Sequence, residues 1–198
     1  MNRTLIRVLL EGIVTGLIIL AIIIAVIGYG IFIYNDLVSK RQLKEEGWSG
    51  IDVQLKRRTD LIPNLLETVK GYMSHERETL EAVVKARAAA TAGVDQSPAA
   101  RSALEGQLTG ALGKLLAIAE AYPDLKANTN FIEFQNALQS VEDEIQMARR
   151  YFNGAVRNLN TAVESFPSVI VANAFKFSKS EYFELENEAE RAVPSVKF

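Results

Sequence analysis

From Gly12 to Tyr34 no residue carries a charge, and Ile13–Ile33 is dominated by Ile, Leu, Val and Ala. A helix of that length spans about 34 Å, enough to cross a hydrocarbon core of about 30 Å. Any fold for this chain must therefore serve two solvents. The competing reading is a cleaved signal sequence, whose apolar core usually runs about 7–15 residues to a small-residue cleavage site. No such site follows Tyr34, so the run 12–34 is read as a retained transmembrane helix behind a short tail, residues 1–11. Tyr29, Phe32 and Tyr34 suit an interface as aromatic anchors.

The flanking charges barely orient this anchor. Arg3 and Arg7 precede it, and Lys40, Arg41 and Lys44 follow it. The count tilts only slightly toward a cytoplasmic C-terminal domain. Lys40, Arg41 and Lys44 also stand where lipid headgroups would lie, and each gains about 1 kcal/mol beside an anionic leaflet. They serve equally well as ordinary juxtamembrane charges.

Past the anchor the dominant period is helical. From Asn130, an expected N-cap with Glu133 completing a capping box, apolar residues recur at spacings of three and four. They run Phe131, Phe134, Leu138, Val141, Ile145, Ala148, Phe152, Val156, Leu159, Val163 and Phe166, a coiled-coil-like seam that Pro167 stops. Leu37 to about Ala92 reads as one long helix or two, with a kink expected at Pro63. Its apolar face comprises Trp48, Ile51, Leu55, Ile62, Leu65, Val69, Met73, Leu80 and Val83. Ser97 and Pro98 open a further helix whose apolar face is Leu104, Leu108, Leu112, Leu115 and Ile118. A short helix is expected within 168–177. Amphipathic helices of this length joined by short turns bury their stripes best as an antiparallel bundle. The fold class is therefore all-α, a transmembrane helix followed by a bundle over 35–177 and an acidic tail over 178–198. The Glu-rich part of that tail, 181–190, reads as a solvated helix or as disordered chain.

Composition removes most chemistries. There is no cysteine and a single histidine, His75, so neither thiolate nor histidine-rich metal sites can be built within one chain. His75-Glu76 lacks the second histidine of a zinc-protease helix. Glu142, Asp143 and Glu144 are consecutive, fan out around a helix and read as a solvated face. No cofactor and no catalytic residues are expected. Beyond residue 34 there are 20 Lys and Arg against 23 Asp and Glu, which gives no basic field for nucleic acid. What remains is polar material richer than packing alone asks for. The segment Gln54–Asn64 offers Arg57, Arg58, Asp60 and Asn64, with Arg57 and Asp60 spaced to pair and Arg58 pointing elsewhere. The last long helix offers Arg149, Arg150, Asn153, Arg157 and Asn160 beside its seam, read mainly as register-fixing groups between helices and otherwise as a partner surface. His75 is read as a helix-surface or capping residue.

Several of these motifs together resemble the LemA family of bacterial membrane proteins. The resemblance runs from about Tyr34 to Phe198 and is most specific at 51–64, at 69–72 with His75-Glu76, at 122–127 with Asn130-Phe131, and from Ala148-Arg149 through Asn153, Asn160 and Phe166-Pro167. Phe152 and Leu159 depart from it, since the family pattern places tyrosine before each asparagine. The resemblance implies a single-span protein of the bacterial inner membrane with a helical bundle and no established enzymatic mechanism. It also implies connections with membrane organisation, including magnetosome formation, and with genes lying beside a membrane metalloprotease. The expectation is a non-catalytic, membrane-anchored scaffold or adaptor for a membrane or membrane-proximal protein, with homo-oligomerisation open. Its binding residues would be Arg57, Arg58, Asp60, Asn64, Glu76, Arg149 and Asn153. The alternative is a lipid-directed membrane-organising protein acting on the bilayer through Lys40, Arg41 and Lys44.

Overall fold

The computed structural model describes residues 2–73 and 75–184. Six helices follow in order: α1 Asn2–Lys70, α2 Arg77–Ala92, α3 Pro98–Ala119, α4 Pro123–Lys126, α5 Thr129–Glu164 and α6 Ser168–Ala174. No strand occurs among the described residues. The architecture is all-α, as the periodicity requires.

The defining element is α1, which runs without interruption from the apolar segment into the bundle. Its N-terminal part is long and apolar enough to cross a membrane, and its side chains there are exposed on all sides. Beyond Asn35 the same helix continues for about 54 Å. The stretch from Leu37 to Ala92 is thus two helices, broken after Lys70 where the Tyr72 and Met73 amides both turn back to the Val69 carbonyl. Met73 is fully buried and plugs the end of the core.

Pro63 sits inside α1 without ending it. Proline has no amide hydrogen, so the Thr59 carbonyl one turn earlier loses its helical partner. Arg87 of α2 replaces it, donating through Nε at 3.0 Å. The proline that predicts a kink thus serves as an attachment point for the second helix.

α1 and α5 pack antiparallel over nearly their full bundle length, with Trp48 against Phe152 at 5.4 Å between ring centroids. α2 and α3 form a shorter hairpin that closes the membrane-distal half. The core there is Ile62, Leu65, Val69, Val83, Leu108, Leu115 and Phe131. In the membrane-proximal half, Ile33 and Leu37 of α1 meet Leu159, Val163 and Ala172, and α6 takes the place of the missing hairpin.

Several local expectations change. α5 is capped by Asn128, two residues before the expected Asn130, because the Asn128 side chain accepts from the Phe131 amide at 3.1 Å. Ser97 does cap α3, accepting from the Ala100 amide. Phe166, the expected last member of the α5 seam, is 81% exposed, since the helix ends at Glu164 and the chain turns into α6 through a cis Phe166-Pro167 bond. Residues 178–184, assigned from sequence to the tail, lie extended along the bundle with Phe183 fully buried. The rest of the Glu-rich stretch lies outside the described residues.

Gly47 sets how closely the two long helices approach. A Cβ at this position would stand 3.0 Å from the Phe152 Cα and 3.1 Å from the Tyr151 ring. Backbone cannot yield as a flexible side-chain end can, so Gly47→Val is expected to force the helices apart at a cost of about 1–3 kcal/mol. Guanidinium unfolding of the detergent-solubilised protein, followed by helical circular dichroism, measures the loss.

Candidate functional site

The most polar place in the bundle is also one of its most buried. Arg58 is 1% exposed and lies in the seam of α1 between Leu55 and Ile62. Its guanidinium donates to Glu105 Oε2 and to Glu142 Oε1, both at 2.5 Å, and to the Thr109 hydroxyl at 2.8 Å. Glu105 also faces Arg101 at 3.9 Å, and Arg101 pairs with Asp52 at 2.6 Å. The result is an alternating chain, Asp52, Arg101, Glu105, Arg58, Glu142, that ties α1, α3 and α5 together. Trp48 caps one end, with the Arg101 guanidinium 5.5 Å from its ring centroid. A side groove of about 230 Å³ between α1, α2 and α3 opens onto Arg101 and Glu105.

Three carboxylates against two guanidiniums leave one negative charge in excess, and the two partners at the ends of the chain are the solvated ones: Asp52 and Glu142 are 46% and 29% exposed. Desolvation is therefore concentrated on Arg58, Arg101 and Glu105, whose excess positive charge is offset by Asp52 and Glu142 at the ends of the chain. Such a chain can hold charge and fix geometry. Among the described residues no cluster of three or more His, Cys, Asp or Glu side chains could hold a metal.

A second polar device lies toward the membrane. Asn153 donates through its side-chain amide to the Phe183 carbonyl at 3.1 Å and accepts from the Phe183 amide at 2.9 Å. Asn160 treats Ser180 in the same way, at 3.0 and 2.8 Å. Two asparagines seven apart on a helix are separated by about 10.5 Å, and two residues three apart on an extended chain by about 10 Å. The spacings match, so one face of α5 grips the backbone of the strap 178–184 at two points. Phe183 fills the space between Trp48, at 5.8 Å, and the Arg149 guanidinium, 6.0 Å from its ring centroid. The Ser102 hydroxyl donates to the Glu184 carbonyl and so ties the strap to α3.

The residues singled out from sequence divide among these environments. Arg58 is interior. Arg57 is exposed, and Asp60 pairs with Lys56 at 3.0 Å instead of with Arg57. Asn64 is exposed at the edge of a groove of about 420 Å³ between α1 and α5. Glu76 lies at the distal end, accepting from Tyr122 Oη at 3.2 Å. Desolvation, then that hydrogen bond, holds the Tyr122 phenol above its ordinary pKa. Arg149 and Asn153 lie on α5 against the strap, so Arg57–Asn64, Glu76 and Arg149 do not converge on one point. Lys40 pairs with Asp36, Arg41 stacks over the Phe177 ring at 5.3 Å, and Lys44 lines a groove beside Trp48. Exposed His75 lies in the turn between α1 and α2. The asparagines hold the strap, where the sequence suggested helix-to-helix bonding.

Arg101, Glu105 and Ser102 escaped the sequence reading, and Glu142 was placed on a solvated face. A signal was present: Arg101, Glu105, Leu108, Leu112, Leu115 and Ala119 follow one another at spacings of four and three, and all are buried. A charged residue in phase with a seam is either a break in it or a buried partner.

Removing one member of the chain strands the others. Arg58→Ala is expected to destabilise the protein by about 3–5 kcal/mol, whereas Arg58→Met combined with Glu105→Leu recovers most of that loss. Guanidinium unfolding of the three proteins gives the comparison, and equal losses in single and double variants would contradict the buried pairing. For the strap, Asn153→Leu with Asn160→Leu is expected to abolish hydrogen-exchange protection at the Ser180 and Phe183 amides and to red-shift Trp48 fluorescence. Both signals follow one event, since Trp48 is the only tryptophan and packs on Phe183.

Known proteins resemble this chain over about three quarters of its length. A model of the LemA family matches residues 47–198. Protein LemA of Metamycoplasma hominis is 28% identical over 153 residues, covering 75% of this chain and 69% of that protein. Magnetosome protein MamQ of Magnetospirillum gryphiswaldense is 24% identical over 174 residues, and MamQ 2 of Paramagnetospirillum magneticum 25% over 178, each covering 76% of this chain. The alignments span 64% of the length of these two magnetosome proteins, a little under two thirds. One helix able to cross a membrane fits a single-pass membrane protein. With the family model covering the whole bundle from Gly47 onward, the chain belongs to the LemA family.

Proposed function

We propose that this protein is a non-catalytic, membrane-anchored scaffold that presents a rigid surface to a membrane-proximal protein, in a bacterial inner membrane and with its bundle on the cytoplasmic side. The observation that carries the reading is the continuity of α1 from the apolar segment to Lys70. A hinge or flexible linker would let the bundle wander. An unbroken helix braced by α5 holds its distal end about 54 Å beyond the anchor in a fixed pose. Of the polar residues in the segment Gln54–Asn64, Arg57, Asp60 and Asn64 lie on the outer face of α1, where they recur with Val53 at helical spacing, and all four are exposed. Arg58, Glu76, Arg149 and Asn153 contribute indirectly, by holding the helices and strap that shape this surface. The relatives named as magnetosome proteins support a role at a membrane organelle more than one in catalysis.

Photocrosslinking in cells through a probe at Val53, compared with Arg57→Glu and with Asn64→Lys, tests this surface. Both positions are exposed, so the variants are expected to keep their circular dichroism while losing a defined crosslinked protein. Unchanged adducts would overturn the surface, and a complete absence of adducts in the parent would overturn the scaffold reading. An adduct at twice the chain mass would identify the partner as a second copy.

A further inference from the structure

A second uncharged run lies at the membrane-proximal end of the bundle, beside the end of the apolar part of α1. From Ser165 to Phe175 no residue carries a charge, between Glu164 and Lys176. This segment comprises the turn after α5 and the whole of α6, together the α5–α6 turn. Three of its side chains are largely exposed, 81% for Phe166, 60% for Ile170 and 61% for Phe175. The inner face of the same segment is committed, with Ala172 fully buried against Ile33 and Leu37.

The axial position of this turn follows from the antiparallel register. Arg58 is bonded to Glu142. Phe166 lies 24 residues beyond Glu142, and Tyr34 lies 24 before Arg58, so the two are level along the bundle. Glu164 and Asp36, each 22 residues from the same pair, are level as well. The first charges after the apolar part of α1 and the last charge before the apolar turn thus mark one boundary. Side contacts agree: the Phe175 ring packs on Tyr34 at 4.7 Å and the Phe177 ring at 5.8 Å. On the polar side of the boundary stand paired charges, Lys40 with Asp36 and Lys179 with Glu164 at 2.5 Å, together with Arg41 over Phe177.

We propose that the α5–α6 turn is a second membrane contact, in which Phe166, Ile170 and Phe175 enter the interfacial layer of the bilayer that α1 crosses. The inference rests on the anchored part of the reading above and is independent of the scaffold's partner. Three large apolar side chains on one small turn suit the boundary between headgroups and acyl chains, where aromatic rings are favoured. A helix able to span the membrane is already in contact with the turn, so the lipid needs no recruitment. The bundle then stands on the membrane at two points, which fixes its rotation about α1 as well as its tilt.

The chain has no cysteine, so single spin labels can be placed freely. Phe166→Cys, Ile170→Cys and Phe175→Cys, each in the full chain reconstituted as one copy per phosphatidylcholine–phosphatidylglycerol nanodisc, are compared for collision with oxygen and with a water-soluble nickel chelate. Ile23→Cys, in the middle of the apolar run, and exposed Val53→Cys provide the references. The expected result is oxygen access with reduced nickel access at Phe166, Ile170 and Phe175, intermediate between the Ile23 and Val53 references. Nickel access equal to that at Val53 would overturn the proposal, and so would shielding from both reagents, which signifies cover by protein. An Ile23 label open to nickel would overturn the anchored reading itself, so the two failures are distinguishable. Correct folding of each variant is read from protease resistance of the bundle.

Discussion

Arg58 gives up its hydration to stand inside the bundle, and the register of the two long helices depends on where it finds compensation. Apolar seams with heptad spacing tolerate a slip of seven residues, because one Leu or Ile replaces another. A slip in one direction would bring Arg58 from Glu142 to Arg149, a like charge, and in the other to neutral Gln135. Both leave a buried guanidinium short of a carboxylate. Gly47 adds a steric condition to the electrostatic one, since it admits the Phe152 backbone at a distance that a side chain would block. The apolar stripes supply most of the driving force, and the polar residues select among arrangements that those stripes alone would accept.

With register fixed, the two halves of the bundle are covered by different means. The α2–α3 hairpin shields the distal half and stops near Asp52 and Trp48, where Arg101 meets them. Below that level α5 widens its buried face to include Ala155, Asn160 and Ala162, and α6 with the strap takes over. An irregular segment laid on helices has no neighbouring strand to satisfy its backbone groups. Asn153 and Asn160 supply the missing donors and acceptors, because an asparagine side chain carries both halves of a peptide group. Phe183 adds the apolar plug. Phe152, one of the two departures from the family's tyrosines, is 2% exposed against Trp48, a site where a ring without a hydroxyl leaves no polar atom to satisfy.

The parts of this arrangement that repeat were readable from sequence. The apolar run, the α5 seam and the Ser97-Pro98 helix start each carry a local signature, and each lies where its pattern places it. The charged members of the seams were harder, because Arg58 and Glu105 occupy core positions by spacing and surface positions by residue type. Choosing between those readings requires knowing that three helices converge there. The strap was illegible for a different reason: an extended segment held by side chains from another helix has no period of its own. Phe166 shows the converse, a residue in phase with the α5 seam that the helix no longer serves once Pro167 has turned the chain.

Continuity between anchor and bundle has a mechanical consequence. A lone spanning helix fixes neither its rotation nor its tilt within the bilayer, so a domain fused to it inherits both freedoms. Here α5 runs back along α1 to the level of Tyr34, and the turn beyond it carries apolar side chains at that depth. Rotation about α1 would lift Phe166 and Ile170 out of the interfacial layer, and tilting away from that side would do the same. Lipid contact at the turn is therefore converted into orientation of the exposed stripe Val53, Arg57, Asp60 and Asn64 some tens of ångströms away. The ion chain and the Gly47 contact keep the intervening helices from absorbing the movement, so one set of buried interactions defines the fold and also carries the pose of the membrane end to the surface that a partner would meet.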